Sequence, residues 1–297
     1  VNTITAARRR RFSTAILAWY KENRRALPWR KTRDPYKILV SEIMLQQTQV
    51  SRVIPIYEAF LAQFPTLEAL GDAPLSSVIR AWKGLGYNRR AKLLWELARH
   101  EKRYLLYGKE AKVSPALLTQ LPGIGHYTAN AVAAFAWNAD AAPVDTNIRR
   151  VHTRYFGADA YSDELPARTL PVGNARAWNN ALMDFGSAVC TKQPVCERCP
   201  LRRSCVAYKT NSFTVAVPKQ STFKGSNRYY RGQILDALRM QPFTAAELDR
   251  TIATSAQERE KTRGALAQLI REGFVTTRAD KRYALAEHSK QTSESKA

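Results

Sequence analysis

The sequence predicts a mainly α-helical protein that ends in a small α+β domain of winged-helix type. Three observations predict it. Apolar residues recur at helical spacing through the first 210 residues, and no alternating β-branched run bounded by turn pairs interrupts them there. Only residues 228–287 change pattern, to three short helices followed by two strands.

Taken in order, Phe12, Ile16 and Tyr20 mark a first helix, Tyr36, Val40 and Ile43 a second, and Val53, Ile56 and Phe60 a third. Pro28, Pro35, Pro55, Pro65 and Pro74 punctuate starts and turns. In "LPGIGHYTANAV" a Gly-x-Gly turn separates a helical stretch ending near Leu121 from one beginning near Tyr127, and after Pro143 a further helix starts at about Ile148. Residues 209–227, "KTNSFTVAVPKQSTFKGSN", have the Ser, Thr and Lys content of a linker. Helices follow at 228–239 and 244–252, split by Gln241, Pro242 and Phe243, and at 256–272, ending at Gly273. "FVTTRADKRYAL" then forms two short strands about a polar turn, and residues 288–297 read as a disordered tail. No internal repeat occurs.

At 297 residues, 45% hydrophobic and 10% aromatic, the chain can build two or three domains with real cores. Its 47 Lys plus Arg against 25 Asp plus Glu give a net charge of +22, which calls for a polyanionic partner. A membrane is the poorer fit, because no run of 18 apolar residues exists. Arg8 to Arg11 precede apolar residues that are helically spaced, unlike a signal-peptide core, so the expected setting is the cytoplasm, on the nucleoid. Nucleic acid is the expected partner, and the chain is taken as a monomer.

All four cysteines, Cys190, Cys196, Cys199 and Cys205, fall in "CTKQPVCERCPLRRSC". Four thiolates complete a tetrahedral zinc shell or supply one ligand to each iron of a cubane, and spacing alone does not choose. Lys192, Arg198, Arg202 and Arg203 would let such a loop present positive charge, or they form a solvated basic surface. Gly123 and Gly125 let the backbone approach an anion at the following helix start; a tight helix-helix turn would need the same residues.

Glu42 is the unusual residue of "SEIMLQQTQV". On a helix it shares a face with Ile38 and Leu45 and is flanked by Ile43 and Met44. Apolar surroundings raise a carboxyl pKa and make it a proton donor near neutrality, whereas a side chain reaching water at the helix edge would not be so affected. In "APVDTNIRRVHTRYF" Asp145 or Thr146 is placed as the N-cap, and at such a position amides and the helix dipole favour the charge of Asp145. A proton-holding Glu and an ionised Asp suit cleavage of a bond to a sugar carbon through an oxocarbenium-like transition state. On a DNA-binding chain that bond is N-glycosidic, and the base must leave the stack first. Gln46, Gln47 and Tyr87 are candidates to fill the gap, or are surface and packing residues.

Together, "LPWR", "DPY", "SEIMLQQTQV", "GLGYNRRA", "LPGIGHYTANAV", "VDTNIRRV" and "LMDFGSAVC" with the cysteine run resemble the helix-hairpin-helix DNA glycosylases, nearest the MutY adenine glycosylases, over residues 12–208. The resemblance implies a two-lobed helical enzyme, with residues 1–30 and 138–208 forming an iron-sulfur lobe and 31–137 a helical lobe bearing the hairpin. A 209–227 linker, a 228–287 domain and a 288–297 tail complete the division. It implies a [4Fe–4S] cluster on the four cysteines, with zinc second. It also implies Glu42 as the acid that protonates adenine N7, Asp145 as the stabiliser of the sugar cation, and Tyr127 and Asn147 at the reacting nucleotide. Gln47 and Tyr87 would probe or enter the base stack of mispaired or damaged double-stranded DNA. Endonuclease III relatives carry lysine at the Tyr127 position, and tyrosine forms no Schiff base, so base excision without efficient strand cleavage is implied.

Three features depart from the family. Five residues, not six, separate Cys190 from Cys196, Thr146 stands where glycine is commoner, and residues 228–287 are too short and helical for the Nudix-like domain that recognises 8-oxoguanine. The rival readings are a thymine or uracil mismatch glycosylase of the same superfamily, and a noncatalytic metal-containing DNA-binding regulator. The "MLQQTQV" stretch favours adenine, and a pure binder has no need of both Glu42 and Asp145. His100, His126, His152 and His288 form no ligand pattern.

Overall fold

The computed structural model describes residues 4–107, 114–215 and 222–287. Its helices are α1 (Ala6–Asn23), α2 (Pro35–Leu45), α3 (Val50–Gln63), α4 (Leu67–Asp72), α5 (Leu75–Ala81), α6 (Arg89–Arg99), α7 (Pro115–Leu118), α8 (His126–Trp137), α9 (Thr146–Phe156), α10 (Leu165–Arg168), α11 (Ala175–Ala188), α12 (Val206–Lys209), α13 (Asn227–Met240), α14 (Ala245–Ile252) and α15 (Ala256–Arg271). Strands β1 (Val275–Thr277) and β2 (Tyr283–Leu285) follow. The mainly helical class holds, and the only strands among the described residues are these two. No helix is long and apolar enough to cross a membrane among the described residues. Residues 216–221 of the expected linker and the whole of the expected tail, 288–297, lie outside the described residues.

Helix starts follow local chemistry. The hydroxyls of Thr5, Thr66, Ser226 and Ser255 accept from backbone amides three residues on, at the starts of α1, α4, α13 and α15. Thr244 and Glu247 form a reciprocal capping box on α14. Pro35 opens α2 and Pro74 caps α5, as their positions predict. Pro55 does not punctuate: it lies inside α3, where it withdraws one amide from the ladder but leaves the helix continuous.

Two compact units form, Val1–Ile43 with Lys102–Pro218, and Met44–Glu101 with Lys219–Ala297. In the first, α1 and α9 pack on α11 around a core of Phe12, Ile16, Val151, Tyr155, Trp178 and Phe185, against which Cys190, Cys199 and Cys205 are half-buried. In the second, α4 and α5 pack on α6, α13 and α14 pack on α15, and β1 pairs antiparallel with β2, Thr276 opposite Ala284. Three helices and a hairpin thus form where the pattern predicts them.

Residues 102–137 gather with the cysteine-bearing residues because α8 packs on α11. Residues 228–287 gather with 44–101 because α13 packs on α5. Four hydrogen bonds help secure that second join. The Arg239 guanidinium donates to the Ile79 carbonyl at 3.1 Å and to Asn88 Oδ1 at 2.8 Å. The Glu287 carbonyl accepts from the Leu75 amide at 3.0 Å, and its carboxylate accepts from Ser76 Oγ at 2.8 Å.

Candidate active site

Glu42 lies on α2 in a run of buried residues from Ile38 to Met44 and is itself only 5% exposed. The Tyr127 hydroxyl, from the first turn of α8, donates to Glu42 Oε2 at 3.0 Å. Burial pushes the Glu42 carboxyl up to about 7; the negative Asp145 adds to the rise, while the Tyr127 hydrogen bond and the Arg30 charge oppose it. Burial likewise drives the Tyr127 phenol well above its ordinary value, with Glu42 and Asp145 reinforcing it, so the phenol keeps its proton and donates.

Asp145, rather than Thr146, caps α9. Its Oδ1 accepts from the Ile148 amide at 2.7 Å and its Oδ2 from Asn147 Nδ2 at 2.8 Å. The cap position alone predicts a lowered pKa, yet the Asp145 carboxyl is raised, because burial outweighs these donors and the Arg150 charge. Asn147 is held in turn. Its Oδ1 accepts from Arg150 at 2.7 Å, and the same guanidinium donates to the carbonyls of Gly186 and Cys190, each at 2.7 Å. One chain of hydrogen bonds therefore joins Asp145 through Asn147 and Arg150 to the first cysteine of the loop.

Gly186 is required by this packing. A Cβ there would stand 2.7 Å from Asn147 Cβ and 3.3 Å from its Cα. Gly186→Ala is expected to displace Asn147, costing about 1–3 kcal/mol of stability and more than tenfold in rate; paired melting and excision measurements would show both, and an unchanged rate would rule out the positioning role. Arg30 is fixed by Asp184, which is buried and salt-bridged to Arg30 and Arg25. The sequence gives no local signal for Arg150 or Gly186. Arg150 follows Asn147 by one helical turn, a spacing that only becomes informative once Asn147 is known to matter.

The four cysteines line a single small cavity together with Arg154, Val189, Pro194, Arg202, Tyr208 and Phe213. None is in a disulfide. Among the described residues no three His, Cys, Asp or Glu side chains converge on a single-ion site. Arg154 organises the loop: its guanidinium donates to the carbonyls of Thr191, Lys192 and Phe213, and its NH1 lies 3.5 Å from Cys190 Sγ. All-thiolate donors with cations at the rim suit an anionic iron-sulfur centre.

Gly123 has φ +75° and Gly125 is the N-cap of α8, with open space where its Cβ would be. Both are exposed, four and two residues before Tyr127. In the other unit, Gln46 and Gln47 occupy the turn after α2, and Tyr87 the turn before α6; Gln47 and Tyr87 both have positive φ, +56° and +44°. Arg90, which sequence reasoning passed over, ties these turns together. Its guanidinium donates to the carbonyls of Met44, Gln46, Leu85 and Gly86 at 2.5–3.3 Å and to Thr48 Oγ1 at 3.3 Å.

A family model described as HhH-GPD superfamily base excision DNA repair protein matches residues 40–170. An adenine DNA glycosylase of Mycolicibacterium smegmatis is 42% identical over 289 residues, 91% of this chain and 94% of its own. An adenine DNA glycosylase of Mycobacterium tuberculosis is 38% identical, covering 92% of each chain. Among solved structures, a thermostable thymine-DNA glycosylase is 35% identical with a TM-score of 0.63, over 70% of this chain and 100% of its own. An endonuclease III structure in non-covalent complex with DNA, at 22% identity and a TM-score of 0.59, shares the fold over 70% of this chain and 99% of its own. With identity of this order running almost from end to end of both partners, the chain belongs to the HhH-GPD superfamily of base excision DNA repair proteins, among its MutY-type members.

Proposed function

We infer that this DNA glycosylase hydrolyses the N-glycosidic bond of a flipped-out adenine mispaired with 8-oxoguanine or guanine. The observation that carries the reading is the buried Glu42 carboxyl, held near neutrality in its pKa and hydrogen-bonded by Tyr127. Protonated Glu42 delivers its proton to adenine N7, the C1′–N9 bond breaks with its electrons passing to the base, and a cation develops on the sugar. Asp145 faces that charge as a carboxylate, its ionised form supported by Ile148 and Asn147. Water then adds to C1′ and its proton returns to Glu42. Tyr127 orients Glu42 and has no amine to attack the sugar.

Adenine is the favoured base because the mycobacterial relatives named as adenine glycosylases match over more than nine-tenths of their length. That alignment leaves under a tenth of this chain unmatched, so it reaches into residues 228–287, and the short C-terminal domain is compatible with an adenine glycosylase. The second reading, thymine or uracil excision, draws on the likeness to the thymine-DNA glycosylase. Duplexes carrying A:8-oxoG, A:G, T:G and U:G, with alkali to cut abasic sites and borohydride to trap amine adducts, separate the readings. Adenine loss without trapped adduct is the expected result; excision of T or U alone, or strong trapping, would overturn it.

Activity should fall as pH rises through about 7, because the acid must hold its proton in the reactive form and Glu42 loses it there. A single-turnover rate that stays flat from pH 6 to pH 8.5 would remove Glu42 as the acid. Cys190, Cys196, Cys199 and Cys205 are the residues that would hold a [4Fe–4S] cluster, pinning the loop between α11 and α12; iron, sulfide and zinc content of the purified protein decides between cluster and zinc. Gly123 and Gly125 would admit a DNA phosphate to the start of α8. Of the C-terminal basic residues, Arg263 and Arg282 are engaged with Asp249 and Glu247, which leaves Arg259, Lys261, Arg278 and Lys281 as the better candidates for phosphate contact.

A further inference from the structure

Tyr87 lies in a tight turn of left-handed backbone. Gly84, Gly86 and Tyr87 have φ of +91°, +68° and +44°, and only the two glycines take such values without strain. The Tyr87 side chain is 37% exposed, an aromatic face open to solvent on a DNA repair protein. It is nevertheless gripped. Arg90 lies 5.5 Å from the ring centroid on its own unit's turn-tying network, and Arg228 lies 5.6 Å from it. Arg228 NH1 also donates to the Tyr87 hydroxyl at 2.5 Å.

Arg228 comes from the first turn of α13, 141 residues along the chain. From the last turn of the same helix, Arg239 reaches Asn88, the residue after Tyr87, as well as the end of α5. The two arginines are eleven residues apart, three turns of helix, so they share one face. The face of α13 that packs on α5 thus holds two successive residues of the strained turn from both ends. Phosphate binding alone would require neither contact: Arg239 donates to Ile79, Asp236 and Asn88, and Arg228 turns one guanidinium nitrogen to the Tyr87 hydroxyl.

We propose that the C-terminal domain acts as a brace for the Tyr87 turn, with Arg228 as the positioning residue that fixes the Tyr87 ring for stacking into the gap left by an extruded base. The inference rests on the reading of the protein as a base-flipping glycosylase. Extruding a nucleotide leaves an unstacked step, and an aromatic ring held in advance fills it without first being ordered. A stacked aromatic of this kind is worth about tenfold or more in affinity per base. Specificity for an interrupted stack then depends on a helix that belongs to the small domain.

The test compares affinity for two otherwise identical duplexes, one intact and one carrying a tetrahydrofuran abasic site, by fluorescence anisotropy of the full chain. The wild-type protein is expected to prefer the abasic duplex. Arg228→Ala should reduce that preference by roughly tenfold, Tyr87→Phe should reproduce the loss by removing the hydroxyl alone, and the double variant should lose no more than either single one. Arg228→Lys, which keeps a donor for the hydroxyl, should recover part of it. Full preference in Arg228→Ala, or additive losses in the double variant, would overturn the brace while leaving the glycosylase reading intact. No preference in the wild-type protein would overturn both.

Discussion

Glu42→Gln is expected to lower single-turnover excision by about 10²- to 10⁴-fold, the range for removal of a general acid. The amide can still accept from the Tyr127 hydroxyl, so the loss reads proton delivery rather than a broken contact. The same substitution should stabilise the fold at alkaline pH. The folded-state pKa of Glu42 is raised from 4.5 to about 7, so the folded protein binds more protons than the unfolded chain between these values. Stability from this group is therefore fully present below about pH 4.5 and is lost as pH rises through 7. At pH 8 the ionised carboxylate costs up to about 3 kcal/mol for a shift of this size. Glu42→Gln should melt higher than wild type at pH 8 and close to it at pH 5. A variant that retains activity, or that gains no stability at pH 8, would show that Glu42 is an ordinary solvated side chain.

Asp145→Asn should cost about 10²- to 10³-fold in the same assay, as expected when one preorganised charge is removed from a developing ion. Asparagine is as good an N-cap as aspartate, so α9 should keep its start and circular dichroism should be unchanged. A second consequence follows from the neighbours. Asn147 donates to Asp145 Oδ2 while its own Oδ1 accepts from Arg150, so it cannot turn its amide over freely. An amide at position 145 would set donor against donor, with a cost of about 1–3 kcal/mol if a group is left unsatisfied. A rate within threefold of wild type would reduce Asp145 to its capping role.

Local chemistry made much of this protein readable. The spacing of Phe12, Ile16 and Tyr20 marks α1, and the switch of pattern after residue 228 marks α13 to α15 and the hairpin within a residue or two. The burial of Glu42 was legible because its apolar neighbours are sequence neighbours, and the Asp145 cap because caps are local. The direction of the Asp145 shift was not, since burial depends on what the rest of the chain places around it. Pro55 reads as a stop in isolation, yet α3 continues through it. Gly186 is packed against Asn147, 39 positions away, and Arg90 ties its own turn to Met44 and Gln46, more than 40 positions away, so no window of sequence could single out these contacts.

The second unit is assembled from two stretches of chain, 44–101 and 219–287, with the whole of 102–218 made between them. During synthesis the first stretch emerges long before its partner, and closing the unit spans the whole of 102–218. The amide of Leu75 and the carbonyl of Ile79 wait for Glu287 and Arg239 to leave the ribosome. A nonsense change or proteolytic cut after residue 215 would therefore yield an incomplete repair enzyme, prone to aggregation, rather than a working core without an accessory.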